Sequence, residues 1–99
     1  MKNYKLENYK IVRTYSAGVF AGEVISRNGK EVEMINARRL YHWDGASSLS
    51  QLCMEGVKRP GNCQFPCEVS HVLLLEAIEI LDCTQIAIDS IKMVPIWEQ

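Results

Sequence analysis

The stretch VFAGEVISRNGKEVEMIN, residues 19–36, decides the fold because it predicts a β-hairpin. Asn28-Gly29 is the dipeptide most typical of a two-residue hairpin turn in which both central residues take positive φ. Side chains alternate along the returning strand, so Val32 and Met34 share one face. The chain is therefore expected to contain an antiparallel pair of strands, over residues 19–26 and 31–36.

Further segments carry the β-branched and aromatic residues that favour strands. The segment HVLLLEAIEIL, residues 71–81, is apolar on both faces, which is typical of a central buried strand. Gly18 or Gly22 is expected at a bulge or at a close approach of two backbones. The other predicted strands span residues 9–15 and 37–43, with residues 96–99 as an edge strand.

Two short helices are predicted from their end signals. Ser48, followed three residues later by Gln51, matches a capping box, and Gly56 is placed to end this first helix. Thr84 is a capping residue for a second helix over residues 85–92. The inward face of that helix is predicted to consist of Ala87, Ile88 and Ile91. A mainly antiparallel sheet of about five strands with two short helices defines an α+β domain.

Length and composition predict one globular domain over residues 1–99, with residues 1–8 as a frayed polar lead-in. Hydrophobic residues make up 47% and charged residues 23% of the chain, and the net charge is -1. This balance gives no general attraction to nucleic acid or to an anionic membrane. No apolar run approaches the ~20 residues that span a bilayer, and the polar N-terminus has no signal-peptide segment. We therefore expect a cytoplasmic protein without membrane contact.

Residues 37–43, ARRLYHW, concentrate cationic and aromatic side chains. In a strand, Arg39, Tyr41 and Trp43 lie on one face. The opposite face then carries Arg38, Leu40 and His42. A guanidinium binds phosphate through two parallel hydrogen bonds, and aromatic rings offer flat faces to a base. The segment predicts either a site for an anionic, ring-containing ligand or an ordinary strand in which arginine stems cover packed rings.

Neighbouring residues are candidates to complete this site. The segment 45–48 precedes the first predicted helix, where free main-chain N–H groups favour anions. Arg13 is expected on a neighbouring strand. The glycine spacing of a P-loop or of a dinucleotide-binding turn does not occur. The full set of candidate ligand-binding residues is Arg13, Arg38, Arg39, Tyr41, Trp43, Gly45, Ser47 and Ser48.

The thiols raise the alternative of a metal site. Cys63, Cys67 and His71 recur at intervals of four, and Cys53 would complete a tetrahedral zinc set. The usual zinc knuckle has two residues between its cysteines rather than three, so free thiols are the favoured interpretation. No nucleophile signature stands beside His42 or His71. We therefore expect no metal, no cofactor and no catalytic activity.

Several blocks of the chain resemble a known family. They are RTYSAGVFAG (13–22), ARRLYHWDGASSLSQL (37–52), EAIEILDCTQIAIDSI (76–91) and VPIWEQ (94–99). Over residues 11–97 the chain is similar to small proteins encoded in phage and prophage genomes and catalogued as a domain of unknown function. The resemblance implies an infected bacterial cell as the setting, where phages use small proteins to oppose host defences. It implies no mechanism.

Two functions follow as hypotheses. The first is an anti-defence sponge, a homo-oligomer that sequesters a nucleotide-type second messenger at a subunit junction without turnover. The second is an inhibitor or accessory factor that binds a host or phage protein through the same arginine and aromatic face, because Trp, Tyr and Arg also dominate protein interfaces. Replacement of Arg39 should weaken the first kind of binding, and replacement of Trp43 the second.

Overall fold

One antiparallel sheet of five strands and two helices form the fold, which confirms the α+β class. The structure, a computed structural model, describes residues 8–98, so the lead-in predicted over residues 1–8 lies almost entirely outside the described residues. The strands are β1 (Tyr9–Thr14), β2 (Val19–Asn28), β3 (Glu31–Arg39), β4 (Val69–Leu74) and β5 (Ala77–Asp82). The helices are α1 (Leu49–Glu55) and α2 (Gln85–Met93), with a short 3-10 turn at Pro60–Asn62.

Strands β2 and β3 form the predicted hairpin, with its turn one residue later than expected. Asn28 pairs with Glu31, so the two-residue loop is Gly29-Lys30. Gly29 has φ 61°, whereas neither Asn28 nor Lys30 has positive φ. A type II′ turn requires glycine at its first central position, and its twist matches that of the flanking strands. The hairpin therefore depends on Gly29 alone for its left-handed backbone.

The segment 71–81, predicted as one central strand, forms two edge strands instead. The spatial order of the sheet is β4-β3-β2-β1-β5, so β4 and β5 lie at opposite edges. Leu75 and Glu76, both exposed, separate them. The prediction of a central strand is wrong because periodicity does not distinguish one long buried strand from two short ones divided by a bend.

The sheet curls into an incomplete barrel. Three Cα–Cα steps join Leu74 to Ala77, a reach of at most ~11 Å, whereas the edges of a flat five-stranded sheet lie ~19 Å apart. The two edges therefore approach each other where β4 ends and β5 begins, and the Ala77 N–H donates to the Lys30 carbonyl in the hairpin turn (2.9 Å). Two cores result. Ile11 packs toward the helices and its neighbour Val12 into the curl, and both are fully buried.

Gly22 lies at a close approach of β2 and β3, as its place in the strand predicts. The pairing slips by one residue between Ala21 and Glu23, opposite Asn36, whose φ is 51°. A Cβ on Gly22 would lie 2.6 Å from the Ala37 Cα. The bulge in β3 and the lack of a Cβ at Gly22 therefore act together to bend the sheet.

Gly22→Ala is expected to destabilise the domain by about 1–3 kcal/mol, because the added methyl group forces two paired backbones apart. Gly61→Ala is the matched control, since a Cβ at Gly61 meets no atom within 4 Å. Urea denaturation measures both variants. Equal midpoints for the two would contradict the close approach at Gly22.

The strand predicted over residues 37–43 is wrong in its bounds, because only its first three residues lie in a strand, as the end of β3. The Leu40 N–H donates to the carbonyl of Val19, the first residue of β2 (2.8 Å). Beyond that point β2 offers β3 no partner. Residues 40–43 and 96–98 form isolated bridges in place of the predicted strands. His42 pairs with Gln64, and Ile96 pairs with Phe65.

Both predicted helices are confirmed with their N-cap residues, but the capping box is only half formed, because the Gln51 side chain accepts the N–H of Ser47 and not that of Ser48. Ser48 Oγ accepts the Gln51 N–H (3.2 Å), and Gly56, with φ 77°, donates its N–H to the last turn of α1. Thr84 Oγ1 accepts the Ala87 N–H (3.1 Å) at the start of α2. The inward residues of α2 are buried as predicted: Ala87, Ile88 and Ile91. Within the described part of the chain, no helix is long and apolar enough to cross a bilayer.

Candidate functional site

Arg39, Tyr41 and Trp43 line one open groove of about 520 Å³. Arg39 is the last residue of β3, and the two aromatic residues follow where the chain leaves the sheet. The opposite wall is formed by residues 16–18 of the β1–β2 loop and by Val19, the first residue of β2. That loop is held by Thr14, whose Oγ1 donates to the Gly18 carbonyl (2.7 Å). Three of the eight candidate residues are therefore brought together.

Arg39 occupies the centre of this surface. Its guanidinium carbon lies 4.6 Å from the centroid of the Phe20 ring, a cation–π contact that fixes the side chain. Among the described residues, no carboxylate or other side chain forms a hydrogen bond or ion pair with Arg39. The same side chain also borders two smaller grooves, of about 300 and 250 Å³, along β4. A positioned cation with free donors is thus presented to solvent.

The two aromatic candidates differ in exposure. Tyr41 is 63% exposed, and its ring meets the ring of Trp97 edge to face, with centroids 5.8 Å apart. Trp43 is half-buried and packs against the core between sheet and helices. Tyr41 therefore offers a ring face to a ligand, while Trp43 forms part of the groove wall. Trp97 and Phe20 support the site from distant parts of the sequence, and no local signal marked either of them.

Arg38 and Arg39 project from opposite faces of β3, as alternation predicts. Arg38 is only 3% exposed, and burial lowers the pKa of its guanidinium. Its N–H groups donate to main-chain carbonyls at 2.6–3.5 Å, those of Phe65, Pro66, Ile91, Val94 and Pro95. Because these carbonyls occupy its donors, Arg38 holds the end of α2 against residues 65–66. Arg38 is therefore not part of the proposed ligand site.

The segment before α1 lies outside the groove. The Ser47 N–H and Oγ both donate to Gln51 Oε1 (2.8 Å each), and Ser48 Oγ caps the helix. Gly45 has φ 94°, and a Cβ there would lie 2.4 Å from the Lys58 main-chain nitrogen. These three candidates therefore have local structural roles, and both serine hydroxyl groups are already engaged in hydrogen bonds.

Arg13 also lies apart from the groove. Its Nε is 3.0 Å from Oε1 of Glu79, across the β1–β5 pair. Both side chains are more than two-fifths exposed, and an exposed pair of this kind contributes only about 0–1 kcal/mol. Arg13 is therefore a surface cation with a weakly held partner, and it serves as a control for Arg39.

The predicted alternative of a zinc set is not assembled. Cys63 is buried, and its Sγ accepts the Asp44 N–H (3.4 Å). Cys67 is exposed, and His71 Nε2 lies 2.6 Å from Oε2 of Glu33. Across residues 8–98, no three Cys, His, Asp or Glu side chains converge on a common point. Of the four thiols, Cys53 and Cys63 are buried, Cys67 is exposed and Cys83 is half-buried.

Hydrogen bonds from His71 and then Ser26 hold the pKa of Glu33 below its ordinary value of 4.5. A carboxyl group with a depressed pKa adds stability above its unfolded-state pKa, and this contribution is lost as pH falls through the folded value. We expect the Glu33 carboxyl to titrate below pH 4.5 in an NMR experiment, and His71→Phe to move the midpoint upward. Identical midpoints in the two proteins would contradict the contact.

One comparison with known proteins finds a matching protein family. The profile of a domain of unknown function, DUF6948, matches residues 7–91. The chain belongs to this family. The DUF6948 match includes three of the blocks that carried the resemblance and all the candidate residues, while Trp97 lies beyond it. No curated protein and no solved structure matches the chain.

Proposed function

We propose that this protein is a non-catalytic binding protein whose groove holds a small anion carrying an aromatic ring, with nucleotides as the chemical class. One observation carries the proposal. Arg39 is fixed over Phe20 beside two further aromatic side chains, and within residues 8–98 no anionic side chain occupies its guanidinium. An exposed and unpaired cation in an aromatic groove suits a phosphate with a base attached.

The energies of such contacts are adequate for binding. Hydrogen bonds to a charged group contribute about 1.5–3 kcal/mol each, and stacking of a base on an aromatic ring contributes about 1–3 kcal/mol. The groove, at about 520 Å³, falls within the range of small-molecule sites, roughly 300–1,000 Å³. Arg39 would bind the phosphate with its planar fork, and the exposed face of Tyr41 would stack on the base.

A second copy of the chain completes the proposal. Strand β4 is an edge strand whose exposed side chains include Val69 and Leu73, and its only titratable residue is His71. Edges without lysine or glutamate favour pairing with another strand. The two smaller grooves beside Arg39 run along β4, so a partner there would wall them. Light scattering with and without ligand reports the number of subunits.

The finer proposal is an anti-defence sponge. The resemblance to small phage proteins supports it, as does the presence of a cationic and aromatic groove in so short a chain. A sponge sequesters its nucleotide messenger and returns it unchanged. Chromatography of the ligand released by denaturation therefore separates a sponge, which returns it intact, from an enzyme, which returns it cleaved.

A thermal-shift screen against cyclic di- and trinucleotides, ADP-ribose and mononucleotides tests the proposal. A compound present at 100 times its Kd adds about 2.7 kcal/mol, which raises the Tm of a domain of this size by roughly 10 °C or more. Arg39→Met is the matched variant, and its tenfold or greater loss of affinity should reduce the shift to about half or less. A flat response of the native protein to every compound would contradict nucleotide binding.

The exposed apolar side chains favour a second candidate function, the binding of a host or phage protein. Tyr15 and Leu75 are 77% and 62% exposed. Leu75 lines a groove beside Arg39, and Tyr15 lies between two residues that line the same groove. Large exposed apolar residues are typical of protein interfaces. A partner bound in this way would be lost with Trp43→Ala and would not be displaced by nucleotides.

A further inference from the structure

The C-terminal turn of α1 is fastened to the start of α2 around Thr84. The Thr84 N–H donates to the Cys53 carbonyl (3.0 Å), and its Oγ1 donates to the Met54 carbonyl (2.6 Å). Cys83 immediately precedes Thr84 and follows the end of β5. Two cysteines that are thirty residues apart in sequence are thus brought to the same point of the fold.

The hydrogen bond sets the distance between these cysteines. When the N–H of one residue donates to a carbonyl, the preceding residue lies about 5–6 Å from the acceptor residue, measured between Cα atoms, as in helices and sheets. Disulfides need a Cα–Cα distance of about 4.4–6.8 Å. Cys53 is 5% exposed within the core between sheet and helices, and Cys83 packs against that same core. Both side chains therefore occupy one region.

We propose that Cys53 and Cys83 form a modification site, a thiol pair that a small-molecule disulfide such as oxidised glutathione converts into an intramolecular disulfide. The thiolate of Cys83, the more exposed of the two, attacks the reagent and releases one equivalent of thiol. The thiolate of Cys53 then attacks the mixed disulfide and releases the second. Two protons leave the protein, the cysteine pair is oxidised, and the reagent is reduced to two thiols.

The surroundings of the pair make this reaction slow at neutral pH. Burial, together with the proximity of Cys53, raises the pKa of Cys83 to about 12, and burial raises that of Cys53 as well. The nearby charged groups, Asp82, Glu79 and Lys10, act more weakly than burial. Because only the thiolate attacks, the rate should increase with pH. The bond would then join α1 to the β5–α2 junction without involving any residue of the groove.

Treatment of the full chain with oxidised glutathione tests the proposal. The pH should be about 8.5, which is the ordinary pKa of a thiol. We expect peptide mass mapping to find Cys53 linked to Cys83. The Tm should rise by roughly 10 °C or more, because the bond closes a loop of some thirty residues, and dithiothreitol should reverse the rise.

Two variants make the outcome decisive. The double variant Cys63→Ser, Cys67→Ser should still form the link, while Cys83→Ser should abolish both the link and the rise in Tm. Recovery of the native protein with Cys67 carrying glutathione and no peptide joining Cys53 to Cys83 would overturn the proposal. A link from either of the pair to Cys63 or Cys67 would overturn it as well.

Discussion

Arg38→Met is expected to lower the Tm by roughly 15 °C. The guanidinium of Arg38 is buried and donates to five main-chain carbonyls from two distant segments. The Phe65 and Ile91 carbonyls also accept main-chain N–H groups, so they keep one hydrogen bond without Arg38. The Pro66 and Val94 carbonyls lose the hydrogen bond that Arg38 gives them. A buried acceptor left without a donor costs about 1–3 kcal/mol. Two such acceptors give a loss of stability of about 2–6 kcal/mol.

The neighbouring arginine provides the control for this prediction. Arg39→Met removes an exposed guanidinium that has a cation–π contact with Phe20 but no side-chain hydrogen bond in the described structure, so the Tm should fall by only about 2–5 °C. Arg38→Lys keeps the charge without the planar fork, so its Tm should lie between those of Arg38→Met and Arg39→Met. Thermal and urea denaturation of the three variants measure the difference. Equal stabilities for Arg38→Met and Arg39→Met would contradict the assigned burial.

Arg39→Met is expected to weaken nucleotide binding about ten- to a hundredfold. Loss of a charge-assisted hydrogen bond costs about 1.5–3 kcal/mol, and each 1.4 kcal/mol is about a tenfold change in Kd. Isothermal titration with the nucleotide that gives the largest thermal shift measures the change. Arg39→Lys should lose less, because an ammonium group still attracts phosphate but does not bind it through two parallel bonds.

Arg13→Met separates a specific contact from a general effect of charge. Arg13 pairs with Glu79 outside the groove, so this variant removes the same positive charge from the protein without touching the site. Its Kd should match that of the native protein at physiological salt, where the Debye length is about 8 Å. An equal loss of affinity in Arg13→Met and Arg39→Met would contradict direct binding by Arg39.

Local signals were sufficient to predict the hairpin and both helices. Gly29, Ser48 and Thr84 form a turn or a helix cap with residues at most four positions away. A short stretch of sequence is therefore enough to predict these turns and caps. The division of residues 71–81 was not predictable in this way. Its bend at Leu75 and Glu76 contains neither glycine nor proline, and it exists because the curled sheet brings its two edges together.

The candidate site was predicted in part. Alternation placed Arg38 and Arg39 on opposite faces of a strand, which the structure bears out, but it did not show which face is buried. Ile11 and Val12 explain why, since both faces of this sheet have a core and the usual contrast of apolar and polar sides disappears. Phe20 and Trp97 support the site through contacts between distant segments, which no local pattern contains.

The most direct test of the groove is a heteronuclear NMR titration of the native protein with each compound of the nucleotide panel. The chain has two tryptophans, and the indole N–H of Trp43 and the Nε–H of Arg39 report on the groove separately. We predict that at least one compound shifts both resonances progressively and that in Arg39→Met the Trp43 shift needs a concentration of the same compound about ten- to a hundredfold higher. If no compound shifts them, or if Trp43 shifts at the same concentrations in Arg39→Met, the groove around Arg39 is not a nucleotide site.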